Sequence, residues 1–170
     1  MTLGAALIPE FDQEMANTRK TIARVPEDKF GWKPHEKSGS MGWLASHLAD
    51  LPGFVLMALE RDSMDIAPSG KSMPPRPVST SHREIMERFD ANVTKARAAL
   101  AGVADAKLAE PWSLLQNGKT LLTLPRSAIV RSFALSHLIH HRAQLGVYLR
   151  LNDIPVPSIY GPSADEGIGG

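Results

Sequence analysis

Six histidines occur in the chain: His35, His47, His82, His137, His140 and His141. Two of them, His137 and His141, are four residues apart in an apolar, helix-forming stretch. On a helix, side chains at that spacing lie one above the other with Cβ atoms about 5 to 6 Å apart, close enough to reach one ion. His140 is turned about 100° from His141 and is the poorer partner. His47 lies in a second apolar stretch, with Leu44, Leu48 and Leu51 at helical spacing around it. A polar ring among leucines must find a partner, and a shared metal or a hydrogen-bonded network of buried histidines would each supply one. The chain has no cysteine. Thiolate ligands, disulfides and a cysteine nucleophile are therefore excluded, and any metal must use His, Asp or Glu. Three neutral imidazoles suit zinc, nickel, iron or manganese, and they leave coordination positions open, as catalytic sites do.

The elements that must position these residues can be read from periodicity. Phe11, Met15, Thr18 and Ile22 form one stripe and predict a first helix over about Pro9 to Arg24. The stretch to Lys37, with Phe30 and Trp32, reads as a loop. Ser40 is a helix cap, and the second helix is expected over Ser40 to Glu60, with Pro52 able to bend it. Residues 61 to 79 carry four prolines, at 68, 74, 75 and 77, and read as a crossover without regular structure, long enough to let the third helix run parallel to the second. That third helix starts near Ser79 to Ser81 and continues to Leu100, with Ile85, Phe89, Val93 and Ala96 on one side and Gly102 as its stop. Asn117-Gly118 between Trp112–Leu115 and Lys119–Leu124 predicts a tight hairpin. A last helix is expected from Pro125 to Leu151. The expected fold is all-α: one four-helix-bundle domain over residues 1–170, with the proline-rich crossover between helices two and three and the small hairpin before helix four.

Ala134, Leu138 and Leu145 share the stripe of His137 and His141, so the imidazoles are expected to look into the bundle. Several other residues near this pattern have two readings. Asp50, three residues after His47, is either a carboxylate that orients an imidazole or a solvated helix-face charge. Arg142 reads as a surface or interface ion-pair partner, and Gln144 is open. The tail from Pro155, with Tyr160, Asp165 and Glu166, wraps the bundle, closes over the site as a lid, or frays.

GWLASHLADLP in the second helix and ALSHLIHHRAQLGVYLRLNDIPVPSIYGPSADE at the end resemble the DinB-like family (DinB/YfiT-like metalloenzymes). The resemblance extends over nearly the whole chain, including KPHEKSGSMGWLASHLA. It implies a four-helix bundle in which His47, His137 and His141 bind a divalent transition metal, the pair standing in an H-x-x-x-H-R-x-Q stretch with Arg142 and Gln144. It further implies a thiol-dependent S-transferase or related enzyme that uses a low-molecular-weight thiol and a small-molecule substrate, and a homodimer. Any thiol must arrive with a cosubstrate. Two other readings use the same residues: a metal-dependent hydrolase, which needs a general base that the sequence does not name, and a non-catalytic dimeric stress or binding protein.

Composition narrows the remaining classes. Nineteen basic against eighteen acidic residues leave +1, so no basic field exists for nucleic acid. No uncharged run reaches the roughly 18 residues of a membrane span. MTLGAALIPEF has neither a basic leader nor a long apolar core, so a cytoplasmic protein is expected. Ser69-Gly70-Lys71-Ser72 and Asn117-Gly118-Lys119-Thr120 imitate the end of a phosphate loop, but Asp65 and Ser113 occupy the place of its first glycine. No zinc-protease, serine-hydrolase or dinucleotide motif occurs.

Overall fold

The computed structural model describes residues 2–71 and 78–167. Ser72, Met73 and the prolines at 74, 75 and 77, all part of the expected crossover, lie outside the described residues. The fold is mostly helical, with a small three-stranded sheet. The sheet corrects the all-α expectation.

Helix α1 spans Leu3–Ile22 and buries Phe11, Met15, Thr18 and Ile22 as the periodicity predicts. It begins six residues before Pro9. Thr2 caps it, its hydroxyl accepting from the Ala5 amide at 3.2 Å, and Pro9 sits inside the second turn. A proline there forgoes one helical hydrogen bond, which packing of Leu7 and Phe11 on either side outweighs.

Ser40 caps α2 (Met41–Asp50) through the Trp43 amide. The bend anticipated at Pro52 is a full break: a 3₁₀ turn over Leu51–Gly53 separates α2 from α3 (Phe54–Glu60). Proline cannot donate to the helical ladder, and next to the break the Ala49 carbonyl accepts from Asn92 Nδ2 at 2.8 Å. At the start of α2, a Cβ on Gly42 would lie 2.9 Å from Phe30 Cβ. The missing side chain lets the preceding loop press onto the helix, and the Gly42 amide bonds Phe30 O at 2.9 Å.

Met41–Glu60 as a whole is long and apolar enough to cross a membrane by length and composition (mean hydropathy 1.2), yet 61% of that window is buried in the protein. It is a core element, packed against the third long helix.

The crossover is not without structure. Ser63–Asp65 form strand β1, which pairs in parallel with β2 (Pro111–Gln116), and Pro68–Gly70 form a 3₁₀ turn. Three residues are too few for alternation to show in sequence. The hairpin of β2 with β3 (Lys119–Pro125) is as expected, with Asn117 at φ 51° and Gly118 at φ 73°. These left-handed values are what an Asn-Gly turn permits. Asp65 pins the turn from outside: its carboxylate accepts from the amides of Ala67, Asn117 and Gly118 at 2.9, 3.0 and 2.8 Å. Those bonds hold its pKa below the usual carboxylate range.

Helix α4 (His82–Gly102) is capped by Ser81. Gly102 is its last residue and keeps negative φ, so no left-handed stop forms there. A short α5 (Asp105–Ala109), unforeseen, leads into the hairpin. The last long helical stretch is continuous but irregular: α6 (Arg126–Ile129), a π turn over Val130–Ser136, and α7 (His137–Arg150). Helix α1 packs on α4 and α7, and α2 packs on the same two. Their shared core includes Phe11, Leu44, Leu48, Ile85, Phe89, Leu138 and Leu145.

Arg126 joins the sheet to this core. It is 1% exposed, and its guanidinium donates to Ala58 O at 2.8 Å, to Arg61 O, and to the carboxylates of Asp62 and Glu110. Replacing it by methionine strands two carbonyls at the end of α3. Each buried orphan costs about 1 to 3 kcal/mol, so Arg126→Met is expected to lower unfolding stability by roughly 3 kcal/mol in urea denaturation.

Candidate metal centre

The break after α2 and the start of α7 bring His47, His137 and His141 together. One nitrogen from each lies within 4.8 Å of the others. His137 Nε2 is 2.8 Å from His141 Nε2 and 3.3 Å from His47 Nε2. His140 is exposed and stands beside the cluster, its ring 4.9 Å from that of His141. The imidazoles do not point into the dry core, as the stripe had suggested. All three are half-buried, because each sits one position off a fully buried apolar row. A fully buried set could not exchange ligands with solvent, whereas this one is open to it.

The outer nitrogen of the His141 ring is engaged. His141 Nδ1 is 2.7 Å from Gln144 Oε1, and because an amide oxygen only accepts, the proton is on Nδ1. Gln144 thereby gains a definite role. His141 Nε2 then carries a lone pair 2.8 Å from His137 Nε2, a separation at which either a proton or a cation can lie between the two nitrogens. With metal–nitrogen bonds of 2.0 to 2.1 Å, two ligand nitrogens stand about 2.9 Å apart at a right angle and about 3.3 Å apart at a tetrahedral one. The two separations from His137 Nε2 match these values, as a divalent ion bound to that pair of contacts would require.

Aromatic walls enclose the cluster. Trp43 stacks on His47, centroids 5.1 Å apart and planes at 18°, and presents an edge to His141 at 6.1 Å. Phe54 lies 6.4 Å from His137. Sequence reasoning assigned neither residue to the site. Trp43 had a signal, being one helical turn before His47, but Phe54 is placed only by the break at Pro52. Beside Phe54 opens a cleft of about 590 Å³, lined also by Asp50, Met57, Arg61, Arg88 and Asn92. That volume is in the range of small-molecule sites.

The environment keeps the rings neutral. His137 is pushed below the ordinary histidine range first by burial, then by the nearby His141, against the opposing pull of the Phe133 carbonyl. His141 is lowered by burial, with Gln144 opposing. Neutral imidazole is the ligating form. Between their folded pKa and the unfolded value of about 6.5, the unfolded chain binds more protons than the folded one. Stability of the apoprotein is thus complete above about pH 6.5 and falls as pH drops below it. Thermal unfolding at pH 7.5, 6 and 5 is expected to show this decline, and a His137→Gln, His141→Gln double variant should show less of it.

Three neighbouring expectations are corrected. Asp50 is no solvated charge: its side chain is 15% exposed and ion-paired with Arg88 at 3.2 Å. Arg142 is not at the surface. It is 4% exposed, ion-paired with Glu14 at 2.7 Å, and hydrogen-bonded to Glu14 O, Thr18 Oγ1 and Tyr160 Oη. A residue 100° around the helix from His141 faces α1 and not solvent. The tail does not close over the histidines. Tyr160 donates to the Glu14 carboxylate at 2.8 and 2.9 Å, Asp165 pairs with Arg150, and Glu166 pairs with Arg24. These contacts tie it to α7, to α1 and to the turn just after α1, and they overturn both the lid and the frayed end for the residues described.

Residues 10–145 match the model of the DinB superfamily. No functionally curated protein matches the chain. Among solved structures, a DinB-like protein from Bacillus cereus ATCC 10987 is similar with a TM-score of 0.70 and 18% identity, over 94% of this chain and 98% of that one. The DinB-like protein YjoA of Bacillus subtilis is similar with a TM-score of 0.65 and 18% identity, over 91% and 97%. At that identity the likeness speaks for the fold.

Proposed function

Since the chain belongs to the DinB superfamily, we propose that it is a metal-dependent enzyme in which His47, His137 and His141 hold one divalent transition metal ion, zinc, nickel, iron or manganese. The observation that supports this most is the convergence of the three rings: one nitrogen from each lies within 4.8 Å of the others, and His137 Nε2 is 2.8 Å from His141 Nε2 and 3.3 Å from His47 Nε2. When bound, such an ion supplies Lewis acidity that brings the pKa of a thiol or water toward neutrality. Gln144 orients the His141 ring that would receive it, and Trp43 and Phe54 shield the flanks of the centre from bulk water.

The reaction proposed is transfer of a low-molecular-weight thiol to a small electrophile. Supporting it are the family likeness and the lack of any cysteine in the chain, which requires the sulfur to come from a cosubstrate. The S–H proton passes to solvent, the sulfur forms a bond to the electrophilic carbon, and the leaving group departs with its bonding pair. The cleft beside Phe54 has room for the second substrate. Hydrolysis at the same centre has weaker support, because no general base beside the three rings is identified among the described residues.

Elemental analysis of protein purified without chelator is expected to find one divalent ion per chain, and metal-loaded protein is expected to consume a monothiol with monochlorobimane or an alkyl halide. A stoichiometric ion without any thiol consumption across such a panel removes the transferase and keeps the centre. No ion, and no uptake of added zinc, nickel, iron or manganese, removes both. The same reading places the protein in the cytoplasm as a homodimer, which fractionation and light scattering at micromolar concentration test.

A further inference from the structure

His47 stands in the last turn of α2, immediately before the chain breaks. The Leu51 amide still bonds the His47 carbonyl, but Pro52 has no N–H to offer the Leu48 carbonyl, so the ladder that would continue this turn stops. Side chains of another helix take over. Asn92 Nδ2 donates to Ala49 O at 2.8 Å, Arg88 Nη2 reaches Ser46 O at 3.4 Å, and Arg88 Nε lies 3.2 Å from the Asp50 carboxylate. Arg88 and Asn92 are four residues apart and so share one face of α4. The segment leading into α4 adds a further tie, the Ser79 amide donating to Ser46 Oγ at 3.1 Å, with the two serines 5% and 4% exposed. Ser46, Ala49 and Asp50 bracket His47, so the backbone that carries its ring is held from α4 on both sides.

We propose that Arg88 and Asn92 are positioning residues of the histidine centre, a clamp that sets where α2 presents His47 to His137 and His141. The inference rests on the metal-centre reading for its effect on ion affinity, but not for the placement of His47. Two arguments favour positioning over simple stabilisation. Neither side chain is a core residue: both are half-buried and line the cleft beside Phe54, and a partly exposed ion pair such as Arg88–Asp50 contributes little to stability. Geometry, by contrast, is demanding, since a metal–nitrogen bond tolerates about 0.2 Å and a binding constellation about 0.5 Å of error. With His47 Nε2 already 3.3 Å from His137 Nε2, a small drift of the broken helix end takes the ring out of reach of a shared ion.

Asn92→Leu keeps the size of the side chain and removes the donor, and Arg88→Lys keeps a charge beside Asp50 and removes the fork. In each variant, zinc affinity measured by competition with a chromogenic chelator is expected to fall about 10-fold, the lower end of what outer-sphere partners cost. In the apoprotein the His47 ring signals should shift and the Leu51 amide should exchange faster, while the His141 ring signals on α7 stay in place. Arg126→Met, which weakens the protein without touching α2, is expected to keep wild-type zinc affinity. Folded Asn92→Leu and Arg88→Lys proteins with unchanged zinc affinity and unchanged His47 signals overturn the proposal, as does an equal loss of affinity in Arg126→Met. Should Asn92→Leu not fold, Asn92→Ala, which lets water reach the Ala49 carbonyl, must meet the same requirement. A wild-type protein that takes up no zinc removes the metal reading, and the clamp then stands or falls on whether the His47 signals of the apoprotein move in the variants.

Discussion

On the proposed reading of the centre, His137→Ala is expected to abolish divalent-ion binding while leaving the fold in place. Of the three rings, His137 is the hub: its Nε2 is 2.8 Å from His141 and 3.3 Å from His47. Its loss removes a direct ligand, so the fall in affinity must exceed the roughly 10 to 100-fold that loss of an outer-sphere partner costs. Stability of the apoprotein should barely change, because the ring is half-buried and its removal relieves a desolvated polar group. Competition against a chromogenic zinc chelator measures the first effect, and thermal unfolding without metal measures the second. A variant that retains one ion per chain at wild-type affinity places the ion elsewhere and ends the reading of this cluster as the centre.

The opposite pattern is expected one residue pair away. Arg142→Met should leave the histidine geometry to α2 and Gln144 but cost about 3 to 5 kcal/mol of stability, the usual loss when one partner of a buried ion pair is removed. For a chain of this size that corresponds to a fall in Tm on the order of 10 °C. The cause is Glu14, 5% exposed, which keeps Tyr160 as a donor but loses its only ion-pair partner among the described residues. Glu14→Gln in the same chain should recover part of the loss, because the residual cost is that of the unpaired charge. Urea denaturation of the single and double variants checks both. A single-variant cost below about 1 kcal/mol means that water reaches Glu14 and that the network does not hold the tail.

How much of this was legible beforehand depends on the range of the signal. The Ser40 and Ser81 caps, the apolar stripe of α1 and the Asn-Gly turn each act within a few residues, and each is where periodicity and turn chemistry placed it. The spacing of His137 and His141 likewise determines that their rings share a helix face. His47 could be singled out as a polar ring among leucines, but its distance from the other two could not be read. Pro9 misled because a local penalty was weighed without the packing of Leu7 and Phe11 that overrides it.

By itself, then, the amino-acid order determined most of the long helices and their caps, the absence of thiol chemistry within the chain and which imidazoles to single out. Only the tertiary structure decided that their Nε2 atoms meet, that Arg142 turns inward to Glu14, that β1 pairs across some fifty residues with β2, and that a π turn precedes His137. Caps and stripes arise from bonds between near neighbours, whose geometry one helical turn already contains. The convergence of α2 with α7, and the π turn beside the sheet, depend on contacts between distant segments that no local pattern encodes.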